Sequence, residues 1–221
     1  MKNKFFQEFT KKYRSIISDL FFFTIEYKVK CLGCNIIKYN FQISSFIDFP
    51  LEEVNNYCYS QNKIKSLLNS DCANPDINIY DCFEYYNKVD FMSGDNQMFC
   101  NICQNCLDAL YQSILYILPQ YLIINLNRGG YKEYYQCKVN FPEELDLINY
   151  VTYKDINTKF ELYAVICDIG PSSMSDHFVV YCRNRIDQKW YLYNDTIVTF
   201  CQQPREYENK MPYILFYRSL N

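Results

Sequence analysis

The amino-acid sequence predicts an α+β fold, in which an N-terminal helix precedes a series of strands. Its 221 residues, 49% of them hydrophobic, are enough for one sizeable folded domain. The clearest helical periodicity lies in the first twenty residues, and strand-like segments separated by Pro, Gly, Asn and Asp fill the second half. No internal repeat or linker divides the chain. Because helices do not alternate with strands, we do not expect a parallel βαβ sheet.

Apolar residues spaced three and four positions apart predict the N-terminal helix. They run from Phe5 through Tyr13 to Leu20 and place one hydrophobic stripe along a helix. We therefore assign residues 1–22 to a helical segment that ends near Leu20.

A β-hairpin is predicted next. In residues 23–29 apolar side chains alternate with polar ones, which is the period of a half-buried strand. Residues 36–43 have the pattern of the returning strand. The sequence Cys31-Leu-Gly-Cys34 then lies at the hairpin tip, where we expect Gly33 to adopt a positive φ.

The following segment, 52–96, is polar, rich in Asn and weakly periodic, so we interpret it as an insertion. Its one short helical signal lies at Ile79–Tyr86. Strand-like segments follow Cys106 and predict a β-rich layer. They are residues 113–118, 121–127, 161–167, 178–183, 190–193 and 213–217.

Charge and hydropathy exclude two classes of partner. The net charge is 22 − 25 = −3 and no run of Lys or Arg occurs, so a nucleic acid is not expected as a partner. The most apolar run, residues 114–124, contains Pro119 and is too short to span a membrane. Residues 1–40 lack the pattern of a signal peptide, so we expect reduced cysteines and a cytoplasmic or nuclear protein.

Two C-x2-C pairs, Cys31 with Cys34 and Cys100 with Cys103, predict a metal site among the twelve cysteines. Two such pairs can offer four thiolates to one tetrahedral zinc ion. Cys106 follows Cys103 by three residues and is an alternative ligand to Cys100. We interpret the remaining cysteines as small buried hydrophobes. They are Cys58, Cys72, Cys82, Cys137, Cys167, Cys182 and Cys201.

His177 is the only histidine, which excludes any site that needs two imidazoles. The strand predicted at 190–193 ends in Asn194 and Asp195, and either side chain could accept the Nδ1 proton of His177. Nε2 would then face a thiol. This arrangement is the orienting half of a Cys-His-Asn/Asp site for nucleophilic catalysis.

Several segments, taken in order, resemble the ubiquitin-specific protease family of deubiquitinating enzymes. The resemblance runs from about Ser15 to Tyr217 apart from the insertion. The matching parts are first the segment before the zinc ligands (Ser15–Phe21), the two C-x2-C pairs (Cys31 and Cys34 with Cys100 and Cys103) and an Arg-terminated strand (Leu118–Arg128). They are then a Pro-Glu-Glu-Leu-Asp-Leu segment (Phe141–Leu147), a histidine box (Tyr163–Phe178), a Trp-to-Val segment (Trp190–Val198) and a last strand (Pro212–Tyr217).

The resemblance implies a papain-like cysteine protease architecture. Residues 23–110 would form zinc-finger hairpins around the insertion, and residues 111–221 a β-rich palm that contains the histidine box. Ubiquitin would be gripped between fingers and palm. His177 would be the general base and Asn194 the third member of the site, with Asp195 as a neighbouring acid that assists it.

One part of the family pattern has no match in the sequence. The family's nucleophilic Cys precedes the zinc ligands and opens a helix, whereas the first cysteine here is Cys31. Asn56-Tyr57-Cys58 matches the family's nucleophile segment only in part. No helix is predicted behind it, and we interpret the match as chance. Residues 1–221 are thus interpreted as a partial catalytic domain without its helical thumb, whose nucleophile lies outside this chain.

Two alternative functions remain open from the sequence. One is a catalytically inactive protein of the same fold that binds ubiquitin or acts as a scaffold. The other is a zinc-binding interaction module unrelated to ubiquitin, which the C-x2-C pairs alone would support.

Overall fold

The computed structural model describes residues 8–9, 11–66, 76–129, 134–154, 157–169, 177–202 and 211–220. Strands dominate this part of the chain, and the predicted α+β class is confirmed. The chain separates into two compact units. The first unit contains residues 1–45, 83–120 and 147–158, and the second contains residues 46–82, 121–146 and 159–221.

The N-terminal helical segment is interrupted by a serine cap. Residues 11–13 are helical, and helix α1 (Ile16–Phe21) begins anew after Ser15, whose φ of −150° is extended. The Ser18 backbone N–H donates to Ser15 Oγ at 3.1 Å, and the Ser15 N–H donates to Ser18 Oγ at 2.8 Å. This reciprocal capping box starts a new helix instead of extending the first one. The predicted end near Leu20 is correct to within one residue.

The predicted hairpin is confirmed in the first unit. Strands β1 (Phe23–Cys31) and β2 (Ile37–Ser44) are antiparallel, and Lys30 lies opposite Ile37 beside the turn. In the segment that follows, strands β3 (Ile47–Pro50), β4 (Ile77–Asn78) and β5 (Val89–Met92) are short. Strands β6 (Met98–Cys100) and β7 (Asn105–Leu107) form a second hairpin, and β8 (Ala109–Ile117) completes a sheet of order β2-β1-β8-β5.

The segment 52–96 contains more regular structure than its sequence indicates. Helix α2 (Leu51–Ser66) fills its beginning, and helix α3 (Ile79–Tyr86) matches the predicted helical signal. The expectation that no helix surrounds Cys58 is wrong, because Cys58 lies inside α2. Residues up to Cys82 belong to the second unit and residues from Phe83 to the first. That this segment is an insertion relative to the family stays a prediction.

A single large sheet organises the second unit. After β9 (Tyr121–Asn127), β10 (Val139–Asn140) and β11 (Glu144–Asp146) come the long strand β12 (Lys159–Asp168) and strands β13 (Phe178–Arg183), β14 (Trp190–Asn194), β15 (Ile197–Cys201) and β16 (Met211–Ser219). The sheet order is β15-β14-β13-β12-β16-β9-β3. Each of the six strand-like segments predicted after Cys106 lies within an observed strand or extends one residue beyond it. Because β13 and β14 are neighbours, the residues before β13 and at the end of β14 are brought together.

Aromatic and aliphatic side chains from several strands form the core of this sheet. Phe49, Leu215 and Tyr217 are fully buried, and each such side chain contributes roughly 1.5–3 kcal/mol. Arg128, at the end of β9, is also fully buried. Its Nε donates to the Pro212 carbonyl at 3.1 Å and its Nη1 to the Cys137 carbonyl at 3.0 Å, so it joins the chain after β9 to the start of β16.

Candidate active site and cysteine cluster

The structure brings His177 and Asn194 together. His177 immediately precedes β13 and Asn194 is the last residue of β14, and both are half-buried. The imidazole Nε2 lies 2.7 Å from Asn194 Oδ1. An amide oxygen can only accept a hydrogen bond, so Nε2 is protonated and donates the hydrogen bond to Oδ1. In the neutral imidazole, Nδ1 then has a free lone pair and can act as a base.

The ring nitrogen that meets Asn194 is the opposite of the one expected. The sequence analysis assigned Nδ1 to the orienting residue and Nε2 to a thiol, whereas Nε2 contacts Asn194. The reason is the distance to be bridged, because Asn194 lies on the strand beside β13. Of the two ring nitrogens, Nε2 is the one farther from the main chain of His177. The nitrogen available to a thiol is therefore Nδ1.

Asp195 occupies the turn that directly follows Asn194. It is exposed and begins the two-residue loop between β14 and β15, with a φ of 50°. Asp is one of the few residues that accept this left-handed conformation at low cost. Within the described residues, Asp195 makes no hydrogen bond to His177. The hydrogen-bond partner that the structure gives the imidazole is therefore Asn194.

No thiol contacts the imidazole within the part of the chain that the structure describes. There, the hydrogen bond of the His177 side chain goes to Asn194. Cys72 lies outside the described residues. The eleven described cysteines are all free thiols.

A separate cluster in the first unit contains the four predicted metal ligands. The Sγ atoms of Cys31, Cys34, Cys100 and Cys103 all lie within 4.8 Å of one another. Cys31 Sγ is 4.0 Å from Cys103 Sγ, and Cys34 Sγ is 3.7 Å from Cys100 Sγ. A tetrahedral Zn²⁺ with Zn–S bonds of about 2.3 Å requires S···S separations of about 3.8 Å. The cluster has the size and donor set that such an ion requires.

The alternative ligand Cys106 lies outside this cluster. It is exposed and pairs with Phe99 across the β6–β7 hairpin, whereas Cys100 pairs with Asn105. Successive residues of a strand point to opposite faces, so Cys106 is directed away from the side of the hairpin that carries Cys100 in the cluster.

Both C-x2-C turns end in the same unusual backbone conformation. Asn35, directly after Cys34, has a φ of 58°, and Gln104, directly after Cys103, has a φ of 56°. The Gln104 N–H donates to the Cys100 carbonyl at 2.7 Å. The left-handed residue turns the chain back so that the two sulfurs of one pair face the same point. Asn is a common residue in this conformation, so Asn35 carried a sequence signal that we missed.

The expectation that Gly33 adopts a positive φ is wrong. Gly33 does not have a positive φ. A Cβ at this position would lie 2.5 Å from Leu107 Cδ1 and 3.4 Å from Cys103 Sγ. Glycine is favoured here because the second hairpin approaches the first turn closely, and any larger residue would have to displace the end of the Leu107 side chain.

The electrostatics of the cluster favour a thiolate at Cys100. Hydrogen bonds from the backbone of Cys103 and Ile102, and from neighbouring thiols, lower the pKa of Cys100 to about 6. Burial, followed by hydrogen bonds with the other thiols, raises the pKa of Cys103 to about 12. The thiol of Cys100 therefore ionises more readily than that of Cys103, and a bound cation favours the thiolate form of its cysteine ligands.

Comparison with known proteins identifies the family. The sequence matches the family model of the ubiquitin carboxyl-terminal hydrolases over residues 1–217. The chain belongs to this family. The resemblance to deubiquitinating enzymes inferred from the sequence, and the papain-like fold that it implied, are thereby confirmed.

A solved structure has a similar fold. It is titled "Structure of the SAGA Ubp8/Sgf11/Sus1/Sgf73 DUB module bound to ubiquitin aldehyde", and its matching chain superposes with a TM-score of 0.71 at 19% sequence identity. The match covers 96% of this chain but only 44% of the other, so this chain spans less than half the length of that relative. Among the described residues, no helix is long and apolar enough to cross a membrane.

Proposed function

We propose that this chain provides the general base and the zinc-bound fingers of a cysteine-type deubiquitinase. The enzyme hydrolyses the isopeptide bond that follows the C terminus of ubiquitin. The observation that carries the proposal is the hydrogen bond of 2.7 Å between His177 Nε2 and Asn194 Oδ1, within a chain of this hydrolase family. The bond fixes the tautomer in which Nδ1 can accept a proton.

In this proposal, His177 Nδ1 takes the proton of a thiol that lies outside this chain. The thiolate attacks the carbonyl carbon at the end of ubiquitin, and the imidazolium returns the proton to the leaving lysine amine. Water then hydrolyses the thioester with Nδ1 as base, which regenerates the thiol and frees the ubiquitin carboxylate. Asn194 accepts the Nε2–H throughout and keeps the ring in place. Asp195 stays a candidate for an assisting acid, and it is exposed in the turn that follows Asn194.

A single structural zinc ion, bound by Cys31, Cys34, Cys100 and Cys103, is the second part of the proposal. The separations of the four sulfurs support it. Apparent binding energies of such sites are about 10–16 kcal/mol near neutral pH, which is comparable with the whole stability of a domain. The ion would hold the β1–β2 turn against the β6–β7 hairpin.

The partner in this proposal is ubiquitin or a ubiquitinated protein, with neither a nucleic acid nor a membrane involved. We assign its action to the cytoplasm or nucleus.

A second candidate is a catalytically inactive protein of the same fold that binds ubiquitin or acts as a scaffold. The observation in its favour is that, within the described residues, no thiol contacts His177. In that case the His177–Asn194 pair would be a structural remnant of the site.

A ubiquitin probe with a C-terminal electrophile distinguishes the two candidates. The 221-residue chain alone should bind ubiquitin in a saturable manner but form no adduct with the probe. A product expressed from all in-frame upstream codons should form the adduct, and His177→Ala should slow its formation at least about a hundredfold. Binding by the longer product without any adduct would favour the inactive candidate. An adduct at any cysteine of the short chain would overturn the placement of the nucleophile, and absence of ubiquitin binding would overturn both.

A further inference from the structure

Strand β15 is an exposed, uncharged edge of the large sheet. It lies at one end of the strand order, and among the described strands it pairs with β14 alone. Its side chains are exposed on both faces: Ile197 is 64% exposed, Val198 55% and Phe200 59%. An open edge of this kind presents unpaired N–H and C=O groups to any strand that approaches.

The other long edges in the described sheets carry the residues that usually prevent such pairing. Strand β2 contains Lys38, β5 contains Asp90, and β3 contains Asp48 and Pro50. Charged residues and proline on an edge disfavour edge-to-edge association. Among the described edge strands of four residues or more, β15 alone contains no charged residue, proline or glycine.

The register of the β14–β15 hairpin determines which backbone groups are available. Asn194 pairs with Ile197 across the two-residue loop, and this closing pair exchanges both of its hydrogen bonds. Hydrogen-bonded pairs alternate with non-bonded ones along an antiparallel ladder, so the next bonded residue of β15 is Thr199. The N–H and C=O groups of Val198 and Phe200 therefore point away from β14.

The geometry points to a second copy of this chain as the partner of β15, with the two β15 strands antiparallel about a two-fold axis at Thr199. Val198 of each copy then lies opposite Phe200 of the other, and each such pair exchanges both main-chain hydrogen bonds. A two-fold interface uses the same patch on both copies, so the patch has to be complementary to itself.

The side chains support self-pairing in this register. On one face, a β-branched residue meets an aromatic ring in each Val198–Phe200 pair. On the other face, Thr199 meets Thr199, and Ile197 meets Cys201. Aromatic–β-branched and Thr–Thr pairs are among the stabilising cross-strand combinations. Because β15 itself carries no charge, the paired strands bring no like charges directly opposite one another.

A charge-swap experiment at the two-fold axis tests this pairing. Sedimentation equilibrium of the 221-residue chain up to about 1 mM should detect self-association, since a short strand pair alone binds weakly. Thr199→Lys and Thr199→Glu each place like charges opposite one another, and each should raise the dissociation constant at least about tenfold. An equimolar mixture of the two variants should restore association.

A second variant pair tests the backbone hydrogen bonds. Val198→Pro removes an outward N–H but no bond to β14, and proline is tolerated at such edge positions. It should weaken association at least about tenfold, whereas the control Val198→Thr keeps the N–H and should change it less than about twofold. Unchanged NMR signals of His177 would show that each variant is folded.

The outcomes that overturn the inference are distinct. A chain that stays monomeric at every concentration excludes the dimer. If Ile16→Glu, in an exposed helix of the other unit, disperses the dimer while the Thr199 variants do not, the interface lies elsewhere. If Val198→Pro weakens association but the Lys and Glu variants do not restore it when mixed, the two-fold register is wrong.

Discussion

Asn194 Oδ1, at the end of β14, accepts a hydrogen bond from the Nε2–H of His177, with an N···O distance of 2.7 Å. The contact selects one of the two neutral tautomers of the imidazole. It also leaves Nδ1 as the basic nitrogen, so any thiol activated by His177 has to approach from that side of the ring.

Asn194→Ala should remove the preference of His177 for one neutral tautomer. Because the chain has a single histidine, every imidazole signal in a ¹⁵N NMR spectrum belongs to His177. At a pH where the ring is neutral, we expect the unsubstituted chain to show a protonated Nε2 and an unprotonated Nδ1. Asn194→Ala should give a mixture of tautomers. The control Asp195→Asn should leave the spectrum unchanged, and the reverse pattern would make Asp195 the orienting residue.

Metal analysis and a matched pair of serine variants test the cysteine cluster. Protein prepared without chelator should contain one zinc ion per chain. Cys103→Ser should lose the ion and much of the stability of the first unit, because the four sulfurs act together. Cys106→Ser should retain the ion, because Cys106 is exposed and outside the cluster. Zinc-free protein, or equal loss in both variants, would contradict the assignment of ligands.

The patterns that could be predicted from the sequence are those with a local cause. Strands such as β9 and β13 alternate side chains between a buried and a more exposed face, and the C-x2-C spacing itself indicates a metal site. Helix α2 was missed because most of its sequence is polar and gives no clear apolar periodicity. Of the side chains described in it, only Leu51 and Val54 are buried. The predicted tautomer of His177 was wrong because sequence order indicates which strands are neighbours but not which ring nitrogen contacts Asn194.

Gly33→Ala should destabilise the contact between the two C-x2-C turns. Its Cβ would lie 2.5 Å from Leu107 Cδ1, so the leucine side chain has to move. We expect a loss of about 1 kcal/mol in the free energy of unfolding, measured with zinc in excess. Combined with Leu107→Ala, the same change should cost less, because the clashing atom is gone. Strictly additive effects of the two substitutions would show that this contact is not the reason for glycine.

Glu161 predicts how stability depends on pH. Its carboxylate on β12 accepts hydrogen bonds from Arg183 on β13 and from Arg218 on β16, the latter at 2.7 Å and 3.0 Å. Burial alone would raise the pKa of Glu161, but the hydrogen bonds and charges of Arg218 and Arg183 outweigh it and lower the pKa. The ionised group therefore stabilises the fold above the unfolded-state pKa of about 4.3, and this contribution is lost as the pH falls through the lower folded-state pKa.

Glu161→Gln should accordingly reduce the free energy of unfolding at pH 7 by about 1–3 kcal/mol, because the variant loses the charge that pairs with both arginines. The difference from the unsubstituted chain should shrink below about pH 4 as Glu161 itself becomes protonated. Urea unfolding at a series of pH values measures this difference. Glu84→Gln is the control, since Glu84 on helix α3 is exposed, and it should change stability by less than about 0.5 kcal/mol at every pH. A pH-independent loss in Glu161→Gln would attribute the effect to packing instead of charge.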